Sequence, residues 1–210
     1  MRGTIDTWIF DLDNTLYDPG LGLMDQISER MHGFVMRELK MTLREAEIFC
    51  DESWRNHGIT MRALVQDHGI DPDAFLSETH DIDYSRVTPR PGLREAIAGL
   101  DGRKIVHTNG ARAHALEVLD RLHLTSEFDA VWAIEDLDYT PKPDAAAHDR
   151  VIAAHGIAPA RAVMFEDTPH NLKVPKARGM TTILVTNNSP PDARHIDHVT
   201  PDLAGFLHGI

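Results

Sequence analysis

One cysteine in 210 residues, Cys50, rules out an intrachain disulfide and a thiolate zinc cluster, and it suits a reducing compartment. Basic charge is also scarce: 21 Lys and Arg stand against 33 Asp and Glu, for a formal charge of −12, and no basic stripe runs along the chain. Binding a nucleic-acid polymer needs such a stripe, so that function class is excluded, whereas a small anion in a local positive pocket is not. No run approaches the roughly 18 apolar residues of a membrane span, and the chain reaches Asp6 and Asp11 without a signal-type apolar region. A cytoplasmic protein with no membrane partner is expected. Internal repeats and low-complexity tracts are missing too.

What is present is an ordinary globular composition, 42% apolar and 26% charged, at a length that suits one domain or one domain with an insertion. Short β-branched or aromatic runs at Thr4–Phe10, Lys104–Thr108, Asp129–Ile134, Ala162–Phe165 and Thr181–Val185 read as buried strands. Helical spacing separates them: Ala115, Val118, Leu119 and Leu122 in one segment, Leu93, Ala96, Ile97 and Leu100 in another, with further helices at Asp144–Ala154 and His170–Arg178. Strands alternating with helices predict an α/β fold, a doubly wound parallel sheet. The alternation stops between Leu21 and Val87, where Met24, Ile27, Met31 and Val35 are helically spaced and helices are expected at Leu43–Asn56, Thr60–His68 and Pro72–Thr79. Residues 1–16 and 88–210 should therefore form a Rossmann-like core, and 17–87 a helical insertion between the turn-rich stretches Tyr17-Asp18-Pro19-Gly20 and Pro89-Arg90-Pro91-Gly92.

Ligands of open α/β sheets sit beyond the carboxyl ends of the strands, so each strand end is a place to look for chemistry. The first ends in Asp11-Leu12-Asp13-Asn14-Thr15, and extended backbone can turn residues 11 and 13 to one side. Alone, such a tripeptide is as well read as an acidic turn. The second ends in Thr108-Asn109-Gly110, which is either an anion site at a helix N-terminus or a simple helix cap. Pro141-Lys142-Pro143 follows the third and confines a lysine to few backbone shapes, although most lysines are merely solvated. Glu166-Asp167-Thr168-Pro169 ends the fourth. Acids favour helix N-termini, but three or four carboxylates converging on one crevice call for a cation, and hard oxygen ligands suit Mg²⁺.

In order, D-x-D-N-T, T-N-G, P-K-P and E-D at successive strand ends resemble the haloacid dehalogenase-like (HAD) hydrolase superfamily, over Thr4 to about Val185. The resemblance implies that Asp11 is a nucleophile forming an aspartyl-phosphate and a metal ligand. Asp13 would be general acid and base, with its backbone carbonyl on the metal. Thr108, Asn109 and Gly110 would hold the phosphoryl oxygens and Lys142 would neutralise charge, while Asp167 completes a Mg²⁺ site with Glu166 acting through water. It also separates a phosphatase from a dehalogenase, since a departing halide needs no acid at position 13. The insertion resembles the helical cap of the superfamily, and DLDNTLY at Asp11–Tyr17, GITMRAL at Gly58–Leu64 and HDIDY at His80–Tyr84 resemble the pyrimidine 5′-nucleotidase branch. That implies a nucleoside 5′-monophosphate as the small phosphate-ester partner. A sugar-phosphate mutase on the same fold and a binding protein without turnover are the alternatives, and nothing in the sequence speaks to oligomeric state.

Within the insertion, Arg62 is a candidate substrate contact or a surface salt-bridge residue. Trp54, Phe75 and Tyr84 could stack a base or fill a small core, and His57 and His80 read as structural or solvated. His80-Asp81 and His195-x-x-His198 lack further ligands at metal-site spacing. Pro175 falls inside the expected helix at His170–Arg178, where it should remove a bond to the Asn171 carbonyl and bend the helix, which weakens any role for Asn171 or Lys173.

Overall fold

The computed structural model describes residues 5–188 and 193–210. Thr4, the expected start of the first strand, lies outside them. The chain divides into two compact units, Met1–Asp18 with Val87–Ile210, and Pro19–Arg86. Tyr17, Asp18 and Val87 thus belong to the larger unit, not to the inserted one.

The larger unit is built on β1 (Thr7–Phe10), β2 (Arg103–His107), β3 (Ala130–Trp132), β4 (Ala162–Glu166), β5 (Thr181–Val185) and β6 (His198–Thr200). They form one parallel sheet in the order β3-β2-β1-β4-β5-β6. The order reverses beside β1, so the crevice at its carboxyl end is where a doubly wound sheet binds ligands. β6 escapes sequence reading because His198-Val199-Thr200 is a short edge strand with two exposed residues and no apolar run. Gly102 leads into β2 at φ +95°, and a Cβ there would lie 2.3 Å from the Asp6 carbonyl oxygen, so only glycine lets β2 pair closely with the chain before β1.

All four residues of β1 are buried, as a central strand covered on both faces requires. On one face Phe10 stacks on Phe165 at 4.6 Å between ring centroids, with Trp8 and Phe206 completing the aromatic layer. The other face joins Ile9, Ile105 and Met164 to residues of α7 (Ala145–His155), including Ala147 and Val151. Also in this unit are α5 (Leu93–Ala98), α6 (Arg112–Arg121), α8 (Lys173–Arg178) and α9 (Leu203–His208).

The expected helix over 170–178 is two pieces: a 3-10 turn at Pro169–Leu172 and α8. Pro175 is the third residue of α8, in the first turn, where a missing N–H costs the helix no internal bond. The proline therefore marks where the α-helix starts. Asn171 is buried in the 3-10 turn, its N–H bonded to the Thr168 carbonyl.

The smaller unit contains α1 (Leu23–Leu39), α2 (Leu43–His57), α3 (Thr60–His68) and α4 (Pro72–Thr79). Thr42 and Glu45 form a reciprocal capping box that starts α2, Asp71 caps α4 with Pro72 in its first position, and Gly58 and Gly69 end α2 and α3 in the left-handed conformation. Phe34 meets Phe75 edge to face at 5.2 Å, so Phe75 is core. Trp54 is exposed, and the Tyr84 hydroxyl donates to the His80 carbonyl. His80 Nδ1 lies 3.0 Å from the Leu76 carbonyl, and Asp81 pairs with Arg30, so neither joins a metal cluster. No described helix is long and apolar enough to cross a membrane.

Phe165 touches three aromatic rings at the sheet centre, so Phe165→Ala should lower unfolding free energy by about 3–5 kcal/mol, read from urea denaturation midpoints. A loss below about 1 kcal/mol would show that the aromatic layer is not what holds β1 to β4.

Candidate active site

Beyond Phe10 the ladder continues by one bond, from the Asp11 N–H to the Phe165 carbonyl, and then the chain turns away. The N–H groups of Thr15 and Leu16 both reach back to the Leu12 carbonyl, and Asn14 sits at φ 57°, a conformation asparagine tolerates better than most residues. This turn holds Asp11 and Asp13 at the mouth of the sheet.

Lys142 reaches the same place from the loop after β3. Its Nζ lies 2.7 Å from Asp11 Oδ1, 2.7 Å from Glu166 Oε2 and 2.8 Å from the His107 carbonyl oxygen, with 1% of the side chain exposed. The two prolines do not hold this lysine alone. The Asn109 amide grips the Lys142 backbone twice, Nδ2 donating to its carbonyl at 2.9 Å and Oδ1 accepting from its N–H at 2.8 Å. The Asn109 side chain is thus engaged in fixing the lysine loop.

Asp11 Oδ2 accepts from the Thr15 hydroxyl at 3.2 Å, an interaction the sequence reading had not singled out. Asp13 Oδ1 accepts from the Tyr17 hydroxyl at 2.6 Å and stands 2.7 Å from His114 Nε2, while the Thr108 hydroxyl lies 3.4 Å from Oδ2. Thr108 Oγ1 also accepts from the Gly110 N–H at 2.9 Å. Asn14 Nδ2 donates to Asp167 Oδ2 at 3.3 Å, and the Thr168 N–H donates to Glu166 Oε1 at 3.2 Å. Glu166 therefore holds Lys142 directly, a contact that the expected role through water did not include.

Asp11, Asp13, Thr108, Asn109, Gly110, Lys142, Glu166 and Asp167 come together at the ends of β1, β2 and β4. Arg62 is half-buried on α3 of the smaller unit. His195 Nε2 lies 2.9 Å from the Pro169 carbonyl and His198 belongs to β6, so the H-x-x-H spacing reflects a loop and an edge strand.

Sequence reading missed Tyr17 and His114. A signal for His114 was available: it falls four residues before Val118, on the apolar face of α6, and a histidine on such a face needs a buried partner. Tyr17 was hidden by the turn residues after it.

Burial, then Glu166, pushes the Asp11 carboxyl up to about 7, with Lys142 acting against both. Burial likewise raises Glu166 to about 7 and, with the charge of Asp11, Asp167 to about 6. Burial alone would lower Lys142, but Asp11 and Glu166 outweigh it and its pKa is raised. Tyr17 is held well above its ordinary range by burial and by Asp13, so its hydroxyl stays a donor. One ammonium does not satisfy these acids, and Asp11, Glu166 and Asp167 each offer an oxygen within 4.8 Å of the others. Hard carboxylate oxygens with excess negative charge fit a Mg²⁺-like cation.

The family model for haloacid dehalogenase-like hydrolases matches residues 8–185. The chain belongs to that family. Among its relatives, a phosphoglycolate phosphatase of Mesorhizobium japonicum is 29% identical over 220 residues, covering 95% of each chain. Phosphate metabolism protein 8 of Saccharomyces cerevisiae is 23% identical over 196 residues; the match takes in 84% of this chain but only 60% of that protein's length. The HAD phosphatase of Thermococcus onnurineus superposes with a TM-score of 0.63 at 20% identity over 97% of both chains, a likeness of fold.

The raised acids set the pH response of the metal-free HAD core. A carboxyl whose folded pKa exceeds its unfolded value stabilises the fold below the unfolded value, and that contribution is lost as pH rises through the folded one. With Asp167 at about 6 and Asp11 and Glu166 at about 7, metal-free protein should melt at a lower temperature at pH 8 than at pH 5. Asp167→Asn should flatten this slope and stabilise the pH 8 form by roughly 1–3 kcal/mol. Thermal melts in a chelator check it, and equal slopes in both proteins would refute it.

Proposed function

We propose that this HAD hydrolase is a Mg²⁺-dependent phosphomonoesterase working through an aspartyl-phosphate on Asp11, with Pro19–Arg86 as its cap and small phosphate esters as substrates. The observation that carries it is the buried Asp11–Lys142 pair beside an Asp13 that is itself hydrogen-bonded. A dehalogenase would need the first and not the second. Resemblance in DLDNTLY, GITMRAL and HDIDY supports pyrimidine nucleoside 5′-monophosphates as the substrate class, with Arg62 as a candidate contact. The phosphoglycolate phosphatase relative supports 2-phosphoglycolate as the competing one.

In this reading Asp11 attacks phosphorus while Lys142 and the donors at Thr108, Asn109 N–H and Gly110 carry the phosphoryl charge. Phosphoryl transfer is accelerated chiefly by such charge neutralisation and positioning. Asp13 protonates the leaving oxygen, then takes a proton from the water that releases phosphate, so one difficult step becomes two easier ones. Asp11, Asp167 and the Asp13 carbonyl, with Glu166 nearby, would hold a cation, which would supply charge neutralisation.

A panel of pyrimidine and purine monophosphates, sugar phosphates and 2-phosphoglycolate should give phosphate release with Mg²⁺, and Asp11→Asn should lose about 10³-fold or more. Isomerised sugar phosphate with little free phosphate would indicate a mutase instead. Release from no ester, or full activity in Asp11→Asn, sinks the reading. Independently of turnover, Mg²⁺ at pH 8 should raise the melting temperature of wild type and much less that of Asp167→Asn.

A further inference from the structure

We propose that His114 and Tyr17 are positioning residues that fix which oxygen of Asp13 carries the proton, committing Oδ1 to the protein and Oδ2 to the reacting ester. The inference rests on the phosphatase reading and adds to it two residues from outside the four motifs. A carboxyl can turn about its Cβ–Cγ bond and exchange its oxygens, and an acid that does so spends part of its time misaligned. Here Oδ1 takes two short contacts, 2.6 Å from the Tyr17 hydroxyl and 2.7 Å from His114 Nε2. Both partners are buried, Tyr17 at 1% exposure and the His114 side chain at 0%, while the Asp13 side chain keeps 18%. Turning the carboxyl would break both contacts where water cannot easily replace them.

The surroundings hold this arrangement from the other side. Oδ2 faces the Thr108 hydroxyl at 3.4 Å, and a Cβ on Gly110 would lie 3.2 Å from Oδ2 and 3.3 Å from a His114 ring carbon. The T-N-G turn is therefore shaped around the Asp13–His114 pair, which gives Gly110 a reason beyond turn geometry.

In the first step Oδ2–H passes its proton to the bridging ester oxygen as the Asp11 oxygen–phosphorus bond forms and the ester phosphorus–oxygen bond breaks. The electron pair leaves with the alcohol. In the second step Oδ2 takes a proton from water as the water oxygen bonds phosphorus and the Asp11–phosphorus bond breaks. The first step needs this proton for an alkoxide leaving group and scarcely for a nitrophenolate.

The test is kcat/KM, which reports the steps through Asp11 phosphorylation, for 4-nitrophenyl phosphate and for whichever of uridine 5′-monophosphate and 2-phosphoglycolate wild type hydrolyses faster. His114→Ala should lose about 10- to 100-fold more on the alkyl ester than on the nitrophenyl ester. His114→Gln, which can restore a donor, should recover most of the difference, and Tyr17→Phe should lose in the same sense. Equal losses on the two esters in His114→Ala and Tyr17→Phe would mean packing alone and overturn the inference, as would a His114→Gln no better than alanine. If His114→Ala does not fold, the glutamine and Tyr17→Phe variants decide the matter. No hydrolysis of either ester class by wild type would overturn the phosphatase reading, and this inference with it.

Discussion

Lys142 brings a positive charge to a place where water cannot reach it, and the surrounding structure answers that demand. Three oxygens surround its ammonium: one from Asp11, one from Glu166 and the His107 carbonyl. They come from the ends of β1, β4 and β2, so one cation ties together three neighbouring strands at the face where the sheet opens. Breaking a buried pair by removing one partner generally costs about 3–5 kcal/mol, because the other charge is left behind. The geometry of Asp11 and the stability of the strand ends are thus linked through one side chain.

Buried charge also explains why the acids are so close to losing their protons. Asp11 and Glu166 have pKa values near 7 although each touches the lysine, because burial, with Glu166 beside Asp11 and Asp167 beside Glu166, outweighs it. A site held in that condition gains from any additional cation. His107 and His148 pack edge to face at 5.1 Å in the same buried region, and burial keeps both imidazoles neutral by lowering their pKa values. Neither histidine therefore adds a second positive charge beside Lys142, and the lysine's attraction for the carboxylates is not diluted.

Asp13 is held by different means. Its neighbours are a phenol, an imidazole and an alcohol, and the turn through Asn14 aims it. Asp11 and Asp13 are only two residues apart, yet one sits against a cation and the other in a hydrogen-bonded cradle. Two carboxyls placed in such different surroundings can do different work in one reaction.

Much of this was legible in the chain. The four motifs, the parallel sheet and the inserted helices follow from local patterning, because strand and helix periods and cap residues act over a few positions, and Thr60–His68 and Pro72–Thr79 have the bounds that spacing predicts. Pro175 is expected to bend the interior of a helix and instead stands in the first turn of one, since a proline in isolation reveals what it forbids but not where the helix starts. β6 depended on pairing with β5, which a three-residue polar segment does not announce. Tyr17 and His114 lie 97 residues apart in number and meet on one oxygen. The sequence by itself determined which residues could carry charge and protons at the strand ends; only the tertiary structure decided which oxygen of Asp13 faces which donor, because hydrogen bonds between distant residues exist only once the sheet brings them together.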